Sequence, residues 1–201
     1  MKAVHSKQKK MIGLVMANGL TSLRLVCAGV IWYLLRQQGY VDMTTLLVGI
    51  FGGFTDFLDG LAARLLNGQS KFGALYDKGV DKVFILTGAF SLYYFCSPVK
   101  NILGSTMGYF LIVLAGMECI LAVTGGGIAW AKNKRLEANR WGKAKMWTEG
   151  VALATWGYYL LADSSGYLFQ ENELTINILL VLAISLAAKS GYDYCLALPE
   201  G

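Results

Sequence analysis

The chain has 201 residues, of which 55% are apolar and only 15% charged. Soluble domains carry about 25% charged residues, and the mean hydropathy here is +0.48. That balance argues against a soluble enzyme, a disordered chain and a disulfide-rich scaffold, and the length suits one membrane-embedded domain. Twenty-four glycines against two prolines fit close helix packing better than Pro-rich linkers.

In chain order, residues 1–17 read as a basic juxtamembrane segment carrying Lys2, Lys7, Lys9 and Lys10. The stretch from Ser6 to Ala17 is too short and too charged to cross a bilayer. It reads either as a basic amphipathic helix on the membrane surface or as a disordered arm. Residues 18–201 form one domain. Apolar runs of about 20 residues predict helices near 20–37, 43–64, 77–97, 103–124, 144–162 and 174–195. The expected fold is all-α, a polytopic integral membrane bundle of six transmembrane helices. The first run is too long, starts too late and lacks the small-residue cleavage site of a signal peptide.

The basic residues set the orientation. They gather before the first helix, around the second connection (Arg64, Lys71, Lys78) and around the fourth (Lys132, Lys134, Arg135, Arg140, Lys143, Lys145). The alternate connections hold only Arg36 and Lys100, with Asp163, Glu171 and Glu173. Positive-inside bias then places both termini in the cytosol, in a membrane of the bacterial inner type. Cys27, Cys96, Cys119 and Cys195 lack metal-ligand spacing, and the sole histidine is His5. The thiols read as small apolar side chains. Gly125-Gly126-Gly127 reads as a span exit, since no phosphate-loop context follows. No nucleic-acid partner is expected.

Carboxylates inside a membrane span are costly, roughly 2.5–3.5 kcal/mol each, yet Asp56 and Asp59 fall in the second predicted helix and Asp77 and Asp81 in the third. Residues three or four apart share a helix face. Asp56, Asp59, Gly60 and Ala63 therefore occupy one arc, and Gly73, Asp77 and Asp81 one line if the helix reaches back to Gly73. The short connection makes the helices antiparallel neighbours, so all four aspartates converge at one membrane level. Something positive must sit among them. Gly60, Ala63 and Gly73 are small where a ligand needs room. Oxygen donors without His or Cys suit magnesium or manganese, and four carboxylates suffice for two ions, as in phosphoryl displacement. The same aspartates are compatible with a divalent cation transporter, or with a non-catalytic membrane scaffold.

The stretch Asp56-x-x-Asp59-Gly60-x-x-Ala63-Arg64, followed by Gly73-x-x-x-Asp77-x-x-x-Asp81, resembles the signature of the CDP-alcohol phosphatidyltransferase family. The resemblance implies transfer of a phosphatidyl group from a CDP-linked lipid to an alcohol, with release of CMP. It implies that Asp56, Asp59, Asp77 and Asp81 bind Mg2+ or Mn2+ and that Asp81 is the general base. Gly60, Arg64 and Ser70 match positions holding the nucleotide and its phosphates. Asn18-Gly19-Leu20-Thr21-x-x-Arg24 resembles the start of the family's first span, which brings Asn18 and Thr21 to the nucleotide site. Ala17 stands where relatives often have Pro. Arg24 reads either as part of that segment or as an interface anchor.

On the acceptor side, Trp141-Gly142-Lys143-Ala144-Lys145-Met146 resembles a segment of branches with phosphorylated acceptors. It makes Arg140 and Lys143 candidates for the acceptor phosphate, although basic loops also serve topology alone. Met117 precedes Glu118 where the glycerol 3-phosphate branch commonly shows Arg-Glu, whereas Lys82 after Asp81 leans toward that branch. Glu118 and Glu149 are further intramembrane acids, each a candidate partner for a Lys, Trp or Tyr. The favoured reading is a transferase using CDP-diacylglycerol as donor and glycerol 3-phosphate as acceptor, and forming a homodimer as relatives do. The alternative acceptor is inositol or inositol phosphate.

Overall fold

A turn at residues 39–42 organises the first half of the chain in the computed structural model, which describes residues 2–66, 71–96, 108, 111–121, 140–162 and 167–196. The turn joins α1 (Lys2–Gln38) to α2 (Met43–Leu65). Gly39 takes a φ of 72°, a left-handed conformation that glycine adopts without strain. Its N–H donates to the Leu35 carbonyl at 2.9 Å, closing the C-terminus of α1 in the αL manner. Asp42 then caps α2. Its Oδ1 accepts from the Thr45 N–H at 2.8 Å and from the Thr45 hydroxyl at 2.5 Å, satisfying an N-terminal donor that the helix itself leaves open.

α3 (Lys71–Ser91) runs on into a short π-helical turn, Leu92–Cys96. It begins before the expected 77, so Gly73 lies within the helix. The remaining described helices are α4 (Leu111–Leu121), α5 (Arg140–Ala162) and α6 (Tyr167–Leu196). No strand occurs among the described residues. Part of the expected 103–124 helix, Ser70, Gly125-Gly126-Gly127 and the basic stretch 132–139 lie outside them.

The sequence divides α1 at about residue 18, but the helix runs unbroken from Lys2. Ala17 explains the difference. Proline there would remove a backbone donor and clash with the preceding turn, whereas alanine has the highest helix propensity.

Two compact units are present, Met1–Gly88 and Ala89–Gly201. In the first, α1 packs on α2, burying Cys27, Ala28, Ile31 and Leu35 of α1 and Thr55 of α2. Gly52 allows a close approach, since a Cβ there would meet the Phe84 ring at 2.5 Å and the Cys27 Cβ at 3.3 Å. In the second unit α5 packs on α6. The buried face of α6 repeats Ile176, Leu180, Ala183, Ala187 and Ser190, the alternating four-and-three spacing of a helix seam. The facing stripe of α5 includes Ala152 and the fully buried Trp156.

Both units bury charge and expose apolar side chains. Arg24, Asp59, Glu118, Lys145 and Glu149 are each at most 6% exposed, while Val26, Phe51, Phe54, Ile178 and Leu182 are each at least 48% exposed. Among the described residues two helical stretches, Met11–Gln38 and Leu174–Asp193, are long and apolar enough to cross a membrane, and shorter apolar stretches run Met43–Asp56 and Leu111–Leu121. The expected six spans therefore do not all pass on hydropathy. Charged residues interrupt the others: Asp56 and Asp59 in α2, Asp77, Lys78, Asp81 and Lys82 in α3, and Lys143, Lys145 and Glu149 in α5.

Two stability predictions follow from these contacts. Hydrogen bonds from the Thr45 hydroxyl and N–H hold the Asp42 carboxyl below the usual carboxylate range. Because the folded pKa is lowered, the cap is fully effective at neutral pH and is lost as pH falls through that lowered value. Asp42→Ala should cost about 1 kcal/mol at pH 7, and thermal unfolding midpoints of variant and wild type should converge in acid. In the second unit the Lys145 ammonium pairs with Glu118 of α4 and lies 3.4 Å from Glu149, one turn along α5. Lys145→Met removes that cation from two buried carboxylates and should cost about 3–5 kcal/mol. Adding Glu118→Gln and Glu149→Gln should recover much of the loss in the same unfolding measurement.

Candidate metal and nucleotide site

Helix spacing assembles the site within the first unit. Thr21 and Arg24 lie three residues apart on α1, Asp56 and Asp59 three apart on α2, and Asp77 and Asp81 four apart on α3. Each pair thus shares a face of its helix. The three faces meet at the Arg24 guanidinium, which is 1% exposed. Its Nη2 donates to Asp59 Oδ2 at 2.7 Å and lies 3.2 Å from Asp56 Oδ1. Its Nη1 donates to Asp77 Oδ1 at 3.3 Å and also to Asp81 Oδ1. One edge of the guanidinium serves α2 and the other serves α3.

Thr21 supports the same centre. Its hydroxyl lies 3.2 Å from Asp59 Oδ2 and 3.0 Å from the Ala17 carbonyl, and its one proton is shared between those acceptors. Farther out, the Ser22 and Tyr76 hydroxyls are 3.1 Å apart and link α1 to α3. Accessibility grades across the cluster. The Asp56 and Asp77 side chains are 40% and 35% exposed, Asp81 15% and Asp59 6%. Asp56 and Asp77 form the rim, and Asp59 and Arg24 the floor.

A guanidinium stays protonated in proteins. Four ionised carboxylates with one guanidinium carry a formal charge of three negative, so the arrangement calls for further cations. Asp56, Asp59 and Asp77 each offer a carboxylate oxygen, and these oxygens all lie within 4.8 Å of one another. Opposite oxygens around magnesium stand about 4.2 Å apart, twice the usual ligand distance. Small side-chain rotations therefore fit three ligands to one hard cation. The donor set at this centre is oxygen only, which suits magnesium or manganese better than zinc or copper.

The other expected site residues are distributed unevenly. Asn18 is half-buried on α1, one turn before Thr21, and Gly73 is half-buried near the start of α3. Gly60, Ala63 and Arg64 fall within α2 and Arg140 opens α5, but the placement of their side chains lies outside the description, as Ser70 does altogether. Lys143 is exposed on α5, while Lys145 is buried between Glu118 and Glu149. Sequence reasoning left the role of Arg24 open between two readings and did not place it among the aspartates. Its burial excludes the interface-anchor alternative. Two signals pointed to it: the uncompensated charge of the aspartates, and its place one turn after Thr21.

The chain is similar to known proteins over most of its length. The sequence profile described as CDP-alcohol phosphatidyltransferase matches residues 14–188. A CDP-diacylglycerol–glycerol-3-phosphate 3-phosphatidyltransferase from Aquifex aeolicus is 28% identical over 169 residues, covering 84% of this chain and 89% of the relative. A protein of the same name from Cereibacter sphaeroides is 41% identical over 71 residues, 34% of this chain and 32% of the relative. A Mycobacterium tuberculosis protein named as a candidate cardiolipin synthase is 28% identical over 111 residues, 55% of this chain and 49% of the relative. The profile match spans Arg24, the four aspartates that converge on its guanidinium and most of the chain besides, and the chain belongs to the CDP-alcohol phosphatidyltransferase family.

Proposed function

We propose that this enzyme transfers the phosphatidyl group of CDP-diacylglycerol to glycerol 3-phosphate, giving phosphatidylglycerophosphate and CMP. The observation that carries this reading is the convergence of Asp56, Asp59, Asp77 and Asp81 on one centre, in a chain similar over most of its length to a relative named for that reaction. Family membership sets aside the transporter and scaffold readings. The exposed apolar faces and buried charges support a six-helix bundle with lipid as its outer solvent. The basic N-terminal segment supports a cytosolic site, and small-residue helix faces support a homodimer.

In this reading Asp56, Asp59, Asp77 and Asp81 hold two divalent ions, magnesium or manganese, which supply Lewis-acid neutralisation of the diphosphate and of departing CMP. Asn18, Thr21, Gly60, Ala63, Arg64, Ser70 and Gly73 line the donor site. The small residues leave room for the nucleotide, and Arg64 offers a fork suited to phosphate oxygens. Arg140 and Lys143 receive the acceptor phosphate. Asp81 accepts the proton of the acceptor hydroxyl as its oxygen bonds to the phosphatidyl phosphorus. The bond from that phosphorus to the CMP oxygen breaks, and CMP leaves with the electron pair.

Purified protein incubated with CDP-diacylglycerol, magnesium and a panel of acceptors should release CMP with glycerol 3-phosphate. Excess chelator should abolish release, and magnesium or manganese should restore it. Product formed instead from inositol, inositol phosphate or phosphatidylglycerol would reassign the acceptor. CMP release in excess chelator would overturn the metal assignment. Asp81→Asn should retain metal-dependent donor binding yet turn over at least about 100-fold slower, whereas Asp59→Asn should weaken donor binding as well. Near wild-type turnover of Asp81→Asn at saturating metal would remove Asp81 as the base.

Topology has its own test. In a background lacking native cysteines, a cysteine at Lys9 should resist impermeant thiol reagents in sealed cells, and one at Glu171 should label. The opposite pattern would invert the orientation.

A further inference from the structure

We propose that Arg24 is a resident counter-cation of the metal-free centre, holding the aspartate pairs of α2 and α3 together until divalent metal takes over their charge. The proposal rests on the metal-binding reading of those aspartates and adds a role for a residue outside that ligand set. Arg24 meets all four carboxylates at once, with Nη2 turned to Asp56 and Asp59 and Nη1 to Asp77 and Asp81. Its Nε has no hydrogen-bond partner among the described residues. The carboxylates are therefore what fixes the guanidinium, and the guanidinium offsets all four of them, with Lys78 a further cation beside Asp77.

Four carboxylates make six mutual repulsions against four attractions to one guanidinium. Arg24 meets each of the four carboxylates at 3.3 Å or less, and one oxygen from each of Asp56, Asp59 and Asp77 lies within 4.8 Å of the others. A divalent ion seeks the same oxygens and carries twice the charge. Binding of the ion and the hold of Arg24 are then linked, and the linkage is reciprocal. A purely structural Arg24 would stabilise the protein equally with and without metal. A counter-cation matters most when metal is absent.

The experiment compares thermal unfolding midpoints of full-length wild type, Arg24→Gln and Arg24→Lys, each in chelator and in saturating magnesium chloride without lipid substrate. In chelator Arg24→Gln should unfold about 10 °C below wild type, the shift for breaking a buried ion pair in a chain of this size. In magnesium the deficit should fall by more than half. Arg24→Lys keeps the charge but not the two-sided fork. It should show a smaller deficit in chelator that narrows in the same way, which keeps the test decisive where Arg24→Gln does not fold. An equal deficit in both conditions, or none in chelator, overturns the proposal. A wild-type midpoint that ignores magnesium overturns the metal reading and this proposal with it. A wild-type shift with an unchanged Arg24 deficit overturns this proposal alone. CMP release by wild type tests the transfer reaction separately.

Discussion

The contact of one buried guanidinium with four carboxylates is the constraint around which the first half of the chain is arranged. Each carboxylate repels the other three, and in apolar surroundings that repulsion is poorly screened. Arg24 offsets it from α1, which packs on α2, by reaching with its side chain to the aspartates of α3 as well. Gly52 permits close packing of α2 against Phe84 of α3 and Cys27 of α1. The left-handed Gly39 and the Asp42 cap return the chain at once, so that α2 lies along α1. Thr21, one turn before Arg24, adds a hydroxyl to the most buried aspartate.

The same principle recurs in the second half on a smaller scale. Lys145 of α5 is shared by Glu118 of α4 and Glu149 of its own helix. In both places a cation ties together acids that would otherwise repel, and in both the cation is buried while apolar side chains face out. Water would favour the reverse arrangement, since it solvates charge and expels apolar surface. Lipid gives helices little hydrophobic reason to associate, and polar contacts with close packing of small residues supply part of the cohesion. Ala183 and Ala187 of α6, both fully buried, fit that pattern.

The gradient of exposure gives the carboxylate cluster a direction. Asp56 and Asp77 are open on the rim, Asp81 lies lower and Asp59 is on the floor with Arg24. Ligands arriving from one side meet the rim carboxylates first. Asp81, proposed as the base, sits where water is partly excluded, a setting that would strengthen the electrostatics of proton transfer.

The all-helical class, the shared faces of Asp56 with Asp59 and of Asp77 with Asp81, and the demand for a cation among them were all legible in the sequence, because each depends on local periodicity and on charge. Gly73 aligned with Asp77 and Asp81 for the same reason. The identity of that cation was not legible. Arg24 is far from the aspartates along the chain, and an arginine near the end of an apolar span is equally suited to anchor at an interface, so only its tertiary placement among the aspartates of α2 and α3 decides between the roles. Lys145 was hidden in the same way: a basic loop serves topology, and burial between Glu118 and Glu149 appears only once α4 and α5 are brought together. Helix type and face are set by neighbours within a turn or two, which the sequence by itself determines. The pairing of charges across helices is set by distances that exist only after packing, and tertiary structure alone decided it.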